Sequence, residues 1–189
     1  MVEEAMNISI IDAWRMRQAR EFFQNVWPMY VHELSGFDSN FYVLDEAGRW
    51  QPDIVDDWVS SVTPPGNLRD PKPEQDPMQP FQRTHVITSD TRPVGFVCVG
   101  LRPFRYMPED VDVCIAEFFL IHGSRGTGAG RHALQLLLQR YPGRWHLSAI
   151  HDNARAIRFW TKTLPLLGVR ELETRHESGD VTWRFVAER

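Results

Sequence analysis

The chain has 189 residues, a formal charge of −4 and a pI near 6.0, a balance that disfavours nucleic acid as a partner. At 42% hydrophobic and 24% charged residues it is too apolar to be disordered, and it has the length for one full core but is short for two. The N-terminus lacks a basic start followed by an apolar stretch, and no run approaches the ~18 apolar residues of a membrane span, so a single cytoplasmic domain over residues 1–189 is expected.

Residues 7–12, "NISIID", read as a first strand. Residues 13–34 place Trp14, Phe22, Phe23, Val26, Met29, Tyr30 and Leu34 on a 3.6-residue stripe, a helix that Pro28 should kink or split. "FYVLDEAGRWQ" (41–51) reads as an extended piece with a turn at "EAG", and residues 53–62 as a short helix. Residues 63–81 carry prolines too often for sustained helix or sheet pairing and form an inserted loop or lid. Next come two strands, 84–89 and 93–100, joined by the turn "DTR", and a central strand at 110–121. A glycine-rich loop leads into a helix over 128–141, a break at "PGR", a strand at 145–150 and a helix over 153–163. The last element is a hairpin of 170–176 and 181–187 turning on Ser178 and Gly179. A helix crossing between strands implies a parallel pair, so the fold is α/β with a mixed sheet whose parallel join lies at the glycine loop, where ligands usually sit. Cys98 and Cys114 lie in apolar strands and are expected as free buried thiols, and the histidines and cysteines lack metal-ligand spacing, so no metal is expected.

The loop "SRGTGAG" (124–130) is poor in side chains. No lysine follows its glycines, which removes a triphosphate-binding loop, and Arg131 stands where a dinucleotide fingerprint needs its third glycine. A tight turn explains one or two glycines but not a helix that opens without a capping side chain. Glycines that turn backbone N–H groups into one concavity, the positive end of the next helix and the charges of Arg125 and Arg131 together suit an anion such as a pyrophosphate.

Residues 125–130, "RGTGAG", fit RxxGxG after the strand "EFFLI", and in "NARAIRFWTK" (153–162) Asn153, Ala156 and Phe159 fall in register with NxxAxxFY. From about Arg92 onward the chain resembles the GNAT superfamily of acyl-CoA N-acyltransferases. The resemblance implies a mostly antiparallel sheet with helices on both faces, and acetyl-CoA as co-substrate. It places the backbone of Phe118, Phe119 and Leu120 along the pantetheine arm and Arg125, Gly126, Thr127, Gly128, Ala129, Gly130 and Arg131 at the pyrophosphate. Asn153, Phe159 and Trp160 would line the thiol end, and a homodimer is common in such proteins. The family pattern carries a tyrosine where this chain has Trp160, whose indole is no proton donor at neutral pH.

Acyl transfer to an amine needs a neutral amine, a donor for the developing oxyanion and release of the thiolate. Glu117, in the apolar "IAEFF", is the candidate general base, with a solvent-side or salt-bridged residue as the alternative. The oxyanion donor is expected among backbone N–H groups near Phe119 or Leu120; His151, and less favourably Tyr141, are candidate proton donors to the thiolate. Carboxylates beside Tyr42, Trp50, Trp58, Phe104 and Tyr106 would suit a cationic amine. These residues point to an acetyl-CoA-dependent N-acetyltransferase acting on a small primary amine by direct attack. The alternatives are a catalytically silent CoA-binding module and a protein N-terminal or lysine acetyltransferase.

Overall fold

The computed structural model describes residues 7–51, 58, 59, 62, 81–177 and 179–188. In chain order the elements are β1 (Ile8–Asp12), α1 (Arg17–Leu34), β2 (Val43–Leu44), β3 (Trp50–Gln51), β4 (Gln82–Ser89), β5 (Arg92–Leu101) and β6 (Val113–Leu120). After these come α2 (Ala129–Arg140), β7 (Gly143–Ile150), α3 (Ala154–Thr163), β8 (Arg170–Glu177) and β9 (Asp180–Ala187). Seven strands form one sheet in the order β1-β4-β5-β6-β7-β9-β8, and β2 pairs with β3 as a separate ribbon. Every neighbouring pair in the large sheet is antiparallel except β6 and β7, which α2 joins as the crossover that a parallel pair requires. β4 and β5 are connected through Asp90 and Thr91, both at positive φ (47° and 70°), the two-residue turn whose twist matches the strands.

The alternation along β5 divides the core between two faces. Phe96 and Cys98 pack with Phe23, Trp27 and Tyr30 of α1, whereas Val97 and Val99 pack with Leu134 and Leu137 of α2 and Trp160 of α3. Helices therefore cover both faces of the sheet. Cys98 and Cys114 are free and buried.

Several boundaries differ from the sequence pattern. α1 starts at Arg17 instead of residue 13, because residues 13–15 turn where the Trp14 N–H bonds Asp12 Oδ1 (3.0 Å). It then continues unbroken through Pro28, with Phe23 and Trp27 (each 0% exposed) before the proline and Val31 (1%) after it, all buried on the sheet. Burying such side chains is worth about 1.5–3 kcal/mol each, enough to offset the ~3 kcal/mol or more that an interior proline costs. β7 starts at Gly143, inside the expected break, where φ is +133° and a Cβ would stand 2.9 Å from the Asp112 carboxylate. Of the short helix at 53–62 only Trp58, Val59 and Val62 are described. The proline-rich segment lies outside the described residues except for Phe81, as does Ser178 in the last turn. Among the described residues no helix is long and apolar enough to cross a membrane.

Candidate active site

The site begins with an irregularity in β6. Cys98 pairs with Glu117 but Val99 pairs with Ile115, so Ala116 is an extra residue, a β-bulge. Because side chains alternate along a strand, one extra residue reverses the facing of everything after it. Cys114 before the bulge and Phe119 after it both pack on the α1 face. Without the bulge Glu117 would share the opposite face with Ile115; with it, the carboxylate reaches α1, where Tyr30 Oη donates a hydrogen bond to Glu117 Oε2. Burial pushes the Glu117 carboxyl up to about 7, and the Tyr30 hydrogen bond opposes this by favouring the ionised form. Tyr30 itself is held well above its usual range by burial and by the carboxylate beside it. Among the described residues no ion pair reaches Glu117, which is half-buried rather than on the solvent side.

Beside the bulge the sheet opens. β6 and β7 pair only from Val113 with Trp145 to Ile115 with Leu147, yet β6 runs on to Leu120 and β7 to Ile150. The divergence forms a groove of about 580 Å³, lined by Phe118, Phe119 and Leu120 on one side and by Asn153, Phe159 and Trp160 on the other. Tyr30 and Glu33 of α1 also line it.

The glycine loop lies along this groove. Gly126 (φ +79°) and Gly128 (φ +93°) adopt the left-handed region, and Gly128 is the N-cap of α2 with no side-chain cap. Thr127 Oγ1 donates to the Ser124 carbonyl (2.9 Å) and accepts from the Ala129 N–H (3.4 Å), holding the loop's shape. Gly130 has a different reason to be glycine: a Cβ there would stand 3.1 Å from the Phe159 ring, so its absence lets α2 approach α3. Arg125, Gly126, Thr127, Gly128, Gly130 and Arg131 line the groove, and Ala129 is buried beneath it. A cradle of main chain at an uncapped helix start fits a diphosphate.

Arg125 has another engagement. Its guanidinium donates to both Glu33 oxygens (2.7 and 2.6 Å), its Nε to the Leu120 carbonyl (2.7 Å), and it lies 5.4 Å from the Phe119 ring centroid. This arginine ties the end of β6 to α1, and it holds the Glu33 carboxyl below its usual range mainly through that hydrogen bond. Asn153 likewise has a structural task, since its Oδ1 accepts from the Ala156 N–H (3.0 Å) and caps α3. Trp160 is 4% exposed and packs edge-on against Phe118 (5.3 Å) and Phe159 (4.8 Å), an apolar wall where a hydroxyl would otherwise stand. Neither His151 nor Tyr141 lines the groove: His151 is exposed in the turn after β7, and the Tyr141 hydroxyl is bound to His85 Nε2 (2.8 Å).

A second cavity, about 310 Å³, borders Glu117. Cys114, His146 and Ser148 lie on its floor with Gln82, and Trp58, Phe104 and Tyr106 supply aromatic walls. Gly100 makes this shape possible, because a Cβ there would stand 2.4 Å from Phe104 and 2.6 Å from the Cys114 sulfur. Tyr42 and Trp50 do not join these aromatics; they stack on each other at 6.0 Å. In the acidic stretch 107–113, Asp110 pairs with Arg184 (3.0 Å) and Asp112 with Arg102 (3.2 Å), while Glu109 is exposed. Among the described residues no group of three or more potential ligands could hold a metal ion.

A model described as the acetyltransferase (GNAT) family matches residues 52–164. Solved structures share the fold at low sequence identity. An acetyltransferase of the GNAT family from Staphylococcus aureus superposes with a TM-score of 0.58 at 10% identity, over 96% of this chain and 100% of its own. An acetyltransferase from Thermus thermophilus gives 0.53 at 14% identity, over 98% of both chains. The PaiA N-acetyltransferase from Thermoplasma acidophilum, solved in complex with coenzyme A, gives 0.52 at 10% identity, over 96% of this chain and 99% of its own. No curated protein matches the chain in sequence.

Proposed function

The chain belongs to the acetyltransferase (GNAT) family, and on that premise we propose that it transfers the acetyl group of acetyl-CoA to the primary amine of a small molecule. The observation that carries this reading is the placement of Glu117. A bulge turns it to the side of the sheet where it borders a second cavity, while its partner Tyr30 and its neighbour Phe118 line the groove.

In this reading acetyl-CoA supplies the activated acyl group, lying along the groove with its diphosphate on the loop at 126–131. The exposed edge of β6 after Ile115 leaves main-chain groups to bond its amides, and an N–H near Phe119 or Leu120 faces the acyl oxygen. Glu117 accepts one proton from the incoming ammonium; the amine lone pair forms the C–N bond, the C–S bond breaks with its electron pair leaving on sulfur, and the nitrogen's second surplus proton passes through water to the thiolate. Trp160 and Phe159 exclude water from that end. A thiol pKa near ~8.5 makes the thiolate a tolerable leaving group, so water can protonate it without a dedicated acid. The wasted binding groove of a silent module would have no use for a carboxyl held near neutrality beside it.

Thiol release from acetyl-CoA, followed across a panel of primary amines, tests the proposal. Amine-dependent release with formation of the N-acetyl product is expected; CoA binding without release for any amine would leave only the binding module.

A further inference from the structure

We propose that the cavity on the far side of Glu117 is the acceptor site, and that it selects a primary amine with one positive charge on a flat apolar body, an arylalkylamine, over polyamines and peptide N-termini. The inference rests on the acetyltransferase reading and adds the substrate class to it.

The lining carries the argument. Three aromatic side chains, Trp58, Phe104 and Tyr106, wall a space of about 310 Å³, at the lower end of the ~300–1,000 Å³ usual for small-ligand sites. The T-shaped contact of Phe104 with Tyr106 (5.4 Å) and the tilted contact of Trp58 with Phe104 (5.7 Å) align these rings as one continuous wall. The opposite side is sheet, and it is polar but almost uncharged: Gln82, Ser148 and His146, with Glu117 as the one carboxylate among the described residues of the lining. Burial, reinforced by the charge of Arg184, holds His146 below its usual range, so it stays neutral near pH 7 and does not repel an ammonium.

Gln82 is the most specific feature. The side chain is 6% exposed, lines the cavity, and its Oε1 has no hydrogen-bond partner. A buried carbonyl oxygen left alone is costly, and an ammonium or amine N–H entering the cavity would relieve it. Gln82 and Glu117 thus supply one neutral and one acidic acceptor to a single nitrogen.

Among the described residues that line the cavity, a second ammonium finds no equivalent of Glu117. The nearby carboxylates Asp110 and Asp112 are paired with Arg184 and Arg102. At the open edge of the aromatic wall Tyr106 is 64% exposed, and the Arg105 guanidinium lies 4.4 Å over its ring. A peptide N-terminus would press its backbone amides against the Trp58, Phe104 and Tyr106 rings, a wall better suited to a flat apolar body.

The test compares steady-state thiol release with phenethylamine, spermidine and a neutral tripeptide for the wild type and Tyr106→Ala, a variant of an exposed residue that leaves the core intact. Phenethylamine is expected to exceed the other two in kcat/KM by about tenfold or more, the range of discrimination an apolar pocket achieves. Tyr106→Ala is expected to raise KM for phenethylamine about fivefold or more and to leave KM for ethanolamine unchanged. A preference for spermidine or the tripeptide, or an equal effect of the variant on every amine, overturns the substrate class while acetyl transfer stands. Calorimetry of phenethylamine with the CoA-bound protein separates the remaining cases. Binding that Tyr106→Ala weakens, without thiol release from any amine, upholds the cavity and sinks the enzyme reading. Absence of both binding and release sinks the two together.

Discussion

Glu117→Gln is expected to lower kcat/KM by about 10²–10⁴-fold, the usual worth of a positioned general base, and to leave CoA affinity unchanged. Gln keeps the shape and still accepts the Tyr30 hydrogen bond, so the loss isolates proton acceptance. The pH profile carries the sign. Only the ionised carboxylate acts, and burial raises its pKa to about 7, so the wild-type rate climbs about tenfold per pH unit below 7 and levels off above it. The variant lacks that limb.

Stability moves in the opposite direction. In the unfolded chain the carboxyl ionises near its ordinary value of 4.5, whereas in the folded protein it keeps its proton up to about 7. The folded state therefore binds more protons across that window, and stability is full below pH 4.5 and is lost as pH rises to 7. A shift of this size corresponds to about 3 kcal/mol. Glu117→Gln escapes the loss and should unfold at higher urea than the wild type at pH 8, the mark of a site held at the expense of stability. A variant that retains wild-type activity with an unchanged pH profile would remove Glu117 from the chemistry.

The second large effect belongs to Gly128→Val, which is expected to weaken CoA binding by about 10–100-fold in calorimetry. Gly128 has φ +93° with open space around its Cα, so a side chain there meets no neighbour; what it opposes is the backbone conformation itself. Left-handed geometry costs an ordinary residue about 1–2 kcal/mol and a β-branched one more, and about 1.4 kcal/mol is tenfold in affinity. Relaxation of that strain turns the first N–H groups of α2 away from the groove. Gly123→Ala is the control, because Gly123 lacks a positive φ and also faces open space, and it should bind CoA as the wild type does. Equal weakening in both variants would mean that the loop is merely fragile.

The parts of the site that were legible in the sequence are those that local backbone chemistry creates. Three glycines between a strand and an amphipathic helix announce an open helix start whatever the rest of the chain does, and the second motif placed Phe159 and Trp160 on the same groove. Features set by partners far along the chain were not legible. The side to which Glu117 points depends on one unpaired residue, Ala116, fixed by register against β5. Tyr30 reads as one more aromatic in the stripe of α1 and becomes the Glu117 partner only when that helix lies across the bulge. Arg125 lines the groove, and its pairing with Glu33, distant in sequence, has no local signature. Asn153 carried a signal of its own, since an asparagine three residues before a backbone N–H at a helix start is a cap, and the family motif drew attention to the ligand instead. The acceptor cavity draws Gln82, Phe104 and Ser148 from separate strands and loops, and no local pattern links them.

The central claim is that main-chain amides at residues 126–131 grip the diphosphate of CoA. Titration calorimetry of the native protein with CoA and with pantetheine, which lacks the diphosphate, tests it most directly. Several donors at a partly buried helix start, each worth up to ~2 kcal/mol, predict that CoA binds about a hundredfold or more tightly than pantetheine. Equal affinity for the two, or no heat with CoA, would contradict the account.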